Sequence, residues 1–158
     1  MSIDSKTGYY ILPCSIKGVI FDSHRHILLG SNPRGEWELL GGRPDAEERD
    51  PTVTLAREIN EEAGINVVLH ELIDVWVYDV PGEGAVLIVT YLCTMADDHH
   101  FVPGDEHGEL RLFEVDALAG LTMPDGYKRS IQKAMERLGR IDRSRREASQ
   151  GAPHHHQG

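Results

Sequence analysis

An α/β (α+β) fold, with a mixed β-sheet held between helices, is what three features of the sequence predict. Runs rich in β-branched and aromatic residues alternate with two segments of helical period. Gly, Pro and Asp turn signals separate the runs, and one helical segment carries its own start and stop signals. The chain has 158 residues, 40% of them hydrophobic, which suits one domain with a buried core over residues 1–140.

The strands come first. Ser15 to Phe21 (SIKGVIF) and His26 to Ser31 (HILLGS), joined by the polar DSHR, read as a hairpin. VVLHELIDVWVYDV and AVLIVTYLCTM, separated by the turn signal PGEG, read as central strands. The first helix is expected from about Pro51 to Ala63. Asp50 is suited to the N-cap, Pro51 to the first helical position, and Gly64 to the left-handed residue that ends a helix. Val53, Ala56, Ile59 and Ala63 are expected on its core face. The second helix, Gly126 to Leu138, sets Ile131, Ala134, Met135 and Leu138 on one side, with Asp125 as its cap and Tyr127 packed against its start. Residues 141–158 are polar, without apolar period, and read as a frayed, disordered tail whose three histidines are solvated.

Charge limits the partners. With 26 acidic against 16 basic residues the net charge is −10, so a nucleic-acid or anionic-membrane binder is not expected. The N-terminus lacks the basic start and apolar core of a signal peptide, and no apolar run reaches spanning length. Cys14 and Cys93 sit in apolar runs without CxxC spacing and read as free buried thiols. Together these predict a cytoplasmic protein, with a homodimer a compatible assembly.

The stretch REINEEAGI, Arg57 to Ile65, holds the chemistry. On a helix Glu58, Glu61 and Glu62 stand at i, i+3 and i+4, so their carboxylates are expected to converge on one face, with Arg57 i, i+4 from Glu61. Clustered anions are unfavourable without a cation between them, and hard oxygen ligands of this kind suit Mg²⁺ or Mn²⁺. An ordinary solvated charged face is the competing explanation until the preceding residues are read.

Those residues, in WELLGGRPDAEERDPTVTLAREINEEAGI, resemble the Nudix hydrolases, whose box is G-x5-E-x7-R-E-U-x-E-E-x-G-U with U bulky and aliphatic. Gly42, Glu48, Arg57, Glu58, Ile59, Glu61, Glu62, Gly64 and Ile65 fill it in order. Two departures stand out: eight residues separate Glu48 from Arg57, and Leu40 stands where the lead-in usually has proline. The extra residue precedes the Asp50 cap, where a loop can absorb it, and leaves open whether Glu47 or Glu48 reaches the metal.

The resemblance, over roughly residues 15–138, implies an α/β/α sandwich and a metal-dependent pyrophosphohydrolase acting on a nucleoside diphosphate derivative, a small-molecule nucleotide. It implies Glu58, Glu61, Glu62 and the Gly42 carbonyl as metal ligands, Arg57 as orienter and Glu62 as a candidate to position the water. A loop acid outside the box is common in the family; Glu106 is preferred here over Glu109, with His107 beside it. The histidines of DDHH (Asp97 to His100) read as a surface loop. A proline sixteen positions past the box, here Pro81, is associated with ADP-ribose and related sugars, although a hairpin turn uses proline too. ADP-ribose or an ADP-sugar is therefore the leading substrate, a noncanonical nucleoside triphosphate the alternative, and a non-catalytic nucleotide-binding module the reading from another class. Tyr127 lining a substrate cleft is the other reading of that residue.

Overall fold

The structure is a computed structural model that describes residues 2–97, 101–102 and 108–151. Its elements in chain order are β1 (Ser2–Ile3), β2 (Tyr10–Ile11), β3 (Cys14–Phe21), β4 (Ile27–Ser31), β5 (Trp37–Glu38), β6 (Leu40–Gly42), α1 (Pro51–Ala63), β7 (Val67–Val80), β8 (Gly84–Met95), β9 (Leu110–Phe113), a 3₁₀ turn (Val115–Gly120) and α2 (Asp125–Gln150). β1 and β2 form a separate small ribbon. The others make one sheet in the order β5-β4-β3-β8-β7, with β6 added to β3 and β9 to β4.

The sheet is mixed, as the sequence predicts. β3 and β8 run parallel from Cys14 opposite Leu87 to Phe21 opposite Thr94, and the other pairs are antiparallel. Of the two runs expected at the centre, only β8 is there. β7 is an edge strand, and Val68, Leu72, Val75 and Val77 stand about half exposed along it. The β7–β8 turn is tight: Glu83 N donates to the Val80 carbonyl at 3.0 Å, and Gly82 has φ 78°. Pro81 ahead of a positive-φ glycine is the arrangement of a type II turn.

Alternation along β3 divides the core in two. Ile16 and Ile20 pack with Leu55, Ile59 and Ala63 of α1, whereas Val19 and Phe21 pack with Ile131, Ala134 and Leu138 of α2. A strand buried on both faces reads as a nearly continuous apolar run, which β3 does.

The capping residues of α1 act as expected. Asp50 accepts a hydrogen bond from Thr52 N at 2.9 Å, Pro51 opens the helix, and Gly64 closes it at φ 67°. Its inward face differs from the expected one. Leu55, Glu58, Ile59, Glu62 and Ala63 are buried, while Val53 is 55% exposed and Ala56 is exposed too. Burial of two glutamates rotates the helix away from a phase that assumes every acid faces water.

α2 corrects the reading of the C-terminus as a frayed tail. It continues through Gln150, with Ile141 packed on the α2-side core and Asp142 paired with Arg25. Arg, Glu, Ala and Gln are good helix formers, so this stretch propagates from the packed part without an apolar stripe. Residues 152–158, with the three histidines, lie outside the described residues. Asp125 is the first residue of the helix rather than its cap, which is Pro124.

Asp74 on β7 ties the helix to the sheet, accepting from Ser130 Oγ at 2.8 Å and Lys133 Nζ at 2.9 Å. Burial pushes the Asp74 carboxyl up, but the bonds from Lys133 and Ser130 outweigh it and hold the group below its ordinary range. Cys93 is buried and its thiol is pushed up to about 12 by that burial, so it is an inert core residue. Cys14 is half-buried and also free. Among the described residues no helix is long and apolar enough to cross a membrane.

Candidate active site

The centre of the site is Arg57, in the second turn of α1. Its Nε donates to Glu48 Oε2 at 2.9 Å and its Nη2 to Glu48 Oε1 at 2.7 Å, a two-pronged contact suited to a planar guanidinium. Nη1 donates to Glu58 Oε1 at 3.0 Å and to Glu61 Oε2 at 3.2 Å, and Nη2 also reaches the Arg43 carbonyl at 3.3 Å. One cation thus gathers three box acids and the loop after β6.

Of the two acids at the end of the loop, Glu48 is the one that pairs with Arg57. Besides Arg57 it accepts from Asp45 N at 2.7 Å and Thr54 Oγ1 at 3.2 Å, which binds the loop before α1 to the helix. The extra residue of the box is absorbed in this loop, and Glu47 stands exposed on it. Hydrogen bonds from Arg57, chiefly, and from Asp45 hold the Glu48 carboxyl at about 2, against an ordinary 4.5. A depressed folded value contributes stability that is complete above the ordinary value and is lost as pH falls through the folded one. The Glu48 carboxyl ¹³C shift should therefore stay flat from neutral pH down past 4.5 and move only towards about 2. A midpoint near 4.5 would mean that Arg57 and Glu48 are not paired in solution.

The three helix acids take different environments. Glu58 is 8% exposed and faces Gly42 so closely that a Cβ built there would lie 2.5 Å from the carboxylate carbon. Glu61 has a side chain 57% exposed. Glu62 is 3% exposed and turned into the fold, where its Oε2 accepts from Gly41 N at 3.0 Å. Among the described residues no three carboxylate, histidine or cysteine side chains enclose a metal position. Glu58 and Glu61, expected to converge on a metal, converge on the Arg57 guanidinium. The donor set of two carboxylates beside the Gly42 backbone still fits a hard dication, since Mg²⁺ is commonly held by one or two carboxylates and keeps several waters.

Beside these acids lies a cavity of about 170 Å³ that the sequence reading did not assemble. Ser15 and Lys17 of β3, Glu38 of β5, Tyr78 of β7, Ile88 of β8 and Tyr127 of α2 line it, and Arg34 and Arg43 stand at its wall. Arg43 connects cavity and acids, because its carbonyl is the one bound by Arg57. Tyr127 is 3% exposed, packs edge-on against Trp76 of β7 and lines the cavity. Lys17 could have been suspected as the one charge inside an otherwise apolar β3.

Of the remaining candidates, Glu106, His107 and the DDHH histidines lie outside the described residues. Glu109 opens the segment into β9 and pairs with Arg111, whose guanidinium lies 5.3 Å from the centre of the Trp37 ring.

Comparison with known proteins agrees with this architecture. The NUDIX domain model matches residues 13–137. A protein of Proteus vulgaris named 8-oxo-dGTP diphosphatase is 36% identical over 69 residues, which is 40% of this chain and 61% of that protein. A Nudix-family hydrolase from Clostridium perfringens superposes with a TM-score of 0.71 at 18% identity, covering 82% of this chain and 99% of its own. An ADP-ribose pyrophosphatase from Streptococcus suis superposes with a TM-score of 0.65 at 22% identity, covering 81% and 92%. With the box filled on α1 and its loop and the model matched over most of its length, the chain belongs to the Nudix family.

Proposed function

We propose that the protein is a metal-dependent hydrolase of acid anhydrides that cleaves the diphosphate linkage of a nucleotide. The observation that carries this reading is the Arg57 constellation, which gathers Glu48, Glu58 and Glu61, sets Glu58 against Gly42, and is joined through the Arg43 carbonyl to a cavity sized for a nucleoside. A pure binding module would gain nothing from placing those carboxylates together.

Glu58, Glu61 and the Gly42 carbonyl are assigned to hold Mg²⁺ or Mn²⁺, which supplies charge neutralisation for the diphosphate and a bound water of lowered pKa. Arg57 keeps the carboxylates in register. Glu62, fixed by the Gly41 N–H, is assigned to position the attacking water or to join the ligands, because a carboxylate with a fixed rotamer can aim a nucleophile. Glu106 is the loop acid proposed to accept the proton. The setting proposed for this chemistry is the cytoplasm.

Two substrates compete. ADP-ribose or an ADP-sugar was indicated by Pro81, and the β7–β8 turn accounts for that proline. A modified nucleoside triphosphate is favoured by the cavity. At about 170 Å³ it falls below the roughly 300 Å³ where pockets for whole drug-sized ligands begin, so it suits one base and its sugar. The Proteus vulgaris relative, by its name, acts on such a triphosphate. We take this as the substrate class.

A nucleotide panel with and without Mg²⁺ tests the reading. Purine nucleoside triphosphates should be converted to monophosphate and pyrophosphate, and excess EDTA should abolish turnover. Full turnover in EDTA would remove the metal from the reaction. Faster cleavage of ADP-ribose than of any triphosphate would restore the first substrate.

A further inference from the structure

Lys17 is 8% exposed, on the face of β3 that also presents Val19 and Phe21 to the α2-side core. Burying an ammonium is costly unless its donors are used. Among the described residues, its one hydrogen bond is to the Leu39 carbonyl, at 3.1 Å. An ammonium has three donors. The other two are available to the cavity that Lys17 lines. The ammonium is anchored at the Leu39 carbonyl, and Lys17 and Glu38 both line the cavity, so a donor and an acceptor face the same space. Asn32 Nδ2 donates to Glu38 Oε2 at 3.2 Å and steadies it. Tyr78 and Tyr127 supply aromatic surface on which a base can stack.

A cationic donor and an anionic acceptor in the walls of one small cavity give it a direction. Guanine-type bases offer the complement, a carbonyl oxygen beside a ring N–H. Adenine presents the reverse, an amino donor beside a ring nitrogen acceptor. Lys17 also lies on the opposite face of the sheet from the buried carboxylates of α1, which suits recognition of the base better than contact with the reacting phosphate.

We propose that Lys17 is a specificity-determining residue: its ammonium donates to the carbonyl of a guanine-type base while Glu38 accepts from the neighbouring N–H. This assignment rests on the nucleotide reading above and deepens it by naming the base.

The test is binding rather than turnover. Dissociation constants for GMP, AMP and ribose 5-phosphate are measured by calorimetry on the metal-free protein, its Lys17→Met variant and its Glu38→Gln variant. Methionine keeps the length of the stem and removes a buried charge, so the variant should fold, and its melting temperature checks this. Wild type should bind GMP about 10-fold or more tighter than AMP. Lys17→Met should erase that preference by weakening GMP alone, and Glu38→Gln should reduce it. Equal weakening of all three ligands by Lys17→Met, ribose 5-phosphate included, would make Lys17 a phosphate or structural residue and overturn the proposal. So would absence of a GMP preference in wild type. A GMP preference without any Mg²⁺-dependent turnover would sink the hydrolase reading and leave Lys17 standing; turnover without base preference would do the reverse.

Discussion

Glu61→Gln should lower kcat by about 10² or more, as removal of a charged group that acts on the transition state does, while the melting temperature of the metal-free protein holds. Glu61 is the acid with least to do in the fold. Its side chain is 57% exposed, and it accepts a 3.2 Å bond from an Arg57 already held twice by Glu48. Exposed pairs of this kind contribute little, about 0.3–0.5 kcal/mol on a helix. Glutamine keeps the helix propensity and removes the anion. Glu62→Gln should also lose activity, but with a stability cost of about 1–3 kcal/mol, since the carboxylate is buried and accepts the Gly41 N–H. Sequence alone predicts that both substitutions spare the fold equally. Activity and thermal melts measured side by side decide it: a Glu61→Gln protein that melts early and retains turnover would make this acid structural.

Gly41→Ala should be severely destabilising, costing about 3 kcal/mol or more. Gly41 has φ 140°, a conformation that L side chains rarely adopt, and a Cβ there would lie 1.9 Å from the Ile16 carbonyl oxygen across the β3–β6 pair. No rotamer relieves a clash with backbone. Its neighbour makes the contrast. A Cβ on Gly42 meets the Glu58 carboxylate at 2.5–2.7 Å, the far end of a flexible side chain, so Gly42→Ala should fold and lose activity. Chemical denaturation of the two variants, with kcat for the second, checks both. A Gly41→Ala protein as stable as wild type would mean that β6 does not lie against β3 as described.

Much of this was legible in the residues because it depends on local rules. Asp50, Pro51 and Gly64 mark the ends of α1 by backbone chemistry that operates within one turn. The Pro81–Gly82 turn is equally local. What needed the folded chain was what depends on distant partners. The phase of α1 is set by Gly41 and Gly42, which draw Glu62 and Glu58 inward and leave Val53 outside. That Glu48 and not Glu47 pairs with Arg57 depends on where a guanidinium nine residues away comes to rest. Helix α2 beyond Leu138 has no apolar stripe, and its continuation depends on Ile141 reaching the core and Asp142 reaching Arg25. The cavity joins β3, β5, β7, β8 and α2, a grouping that no periodicity along the chain encodes.

The sheet that divides the core also divides the labour of heredity. Glutamates of α1 depend on one face, and the cavity walls at Ser15, Lys17, Tyr78 and Ile88 belong to the other, with the β6 segment as their hinge of contact. A lineage can exchange the residues that line the cavity while the packing beneath the charged helix is left alone, because sites on opposite faces that share few partners change nearly independently. Such an architecture lets descendants acquire new diets one substitution at a time without passing through a form that has lost its chemistry.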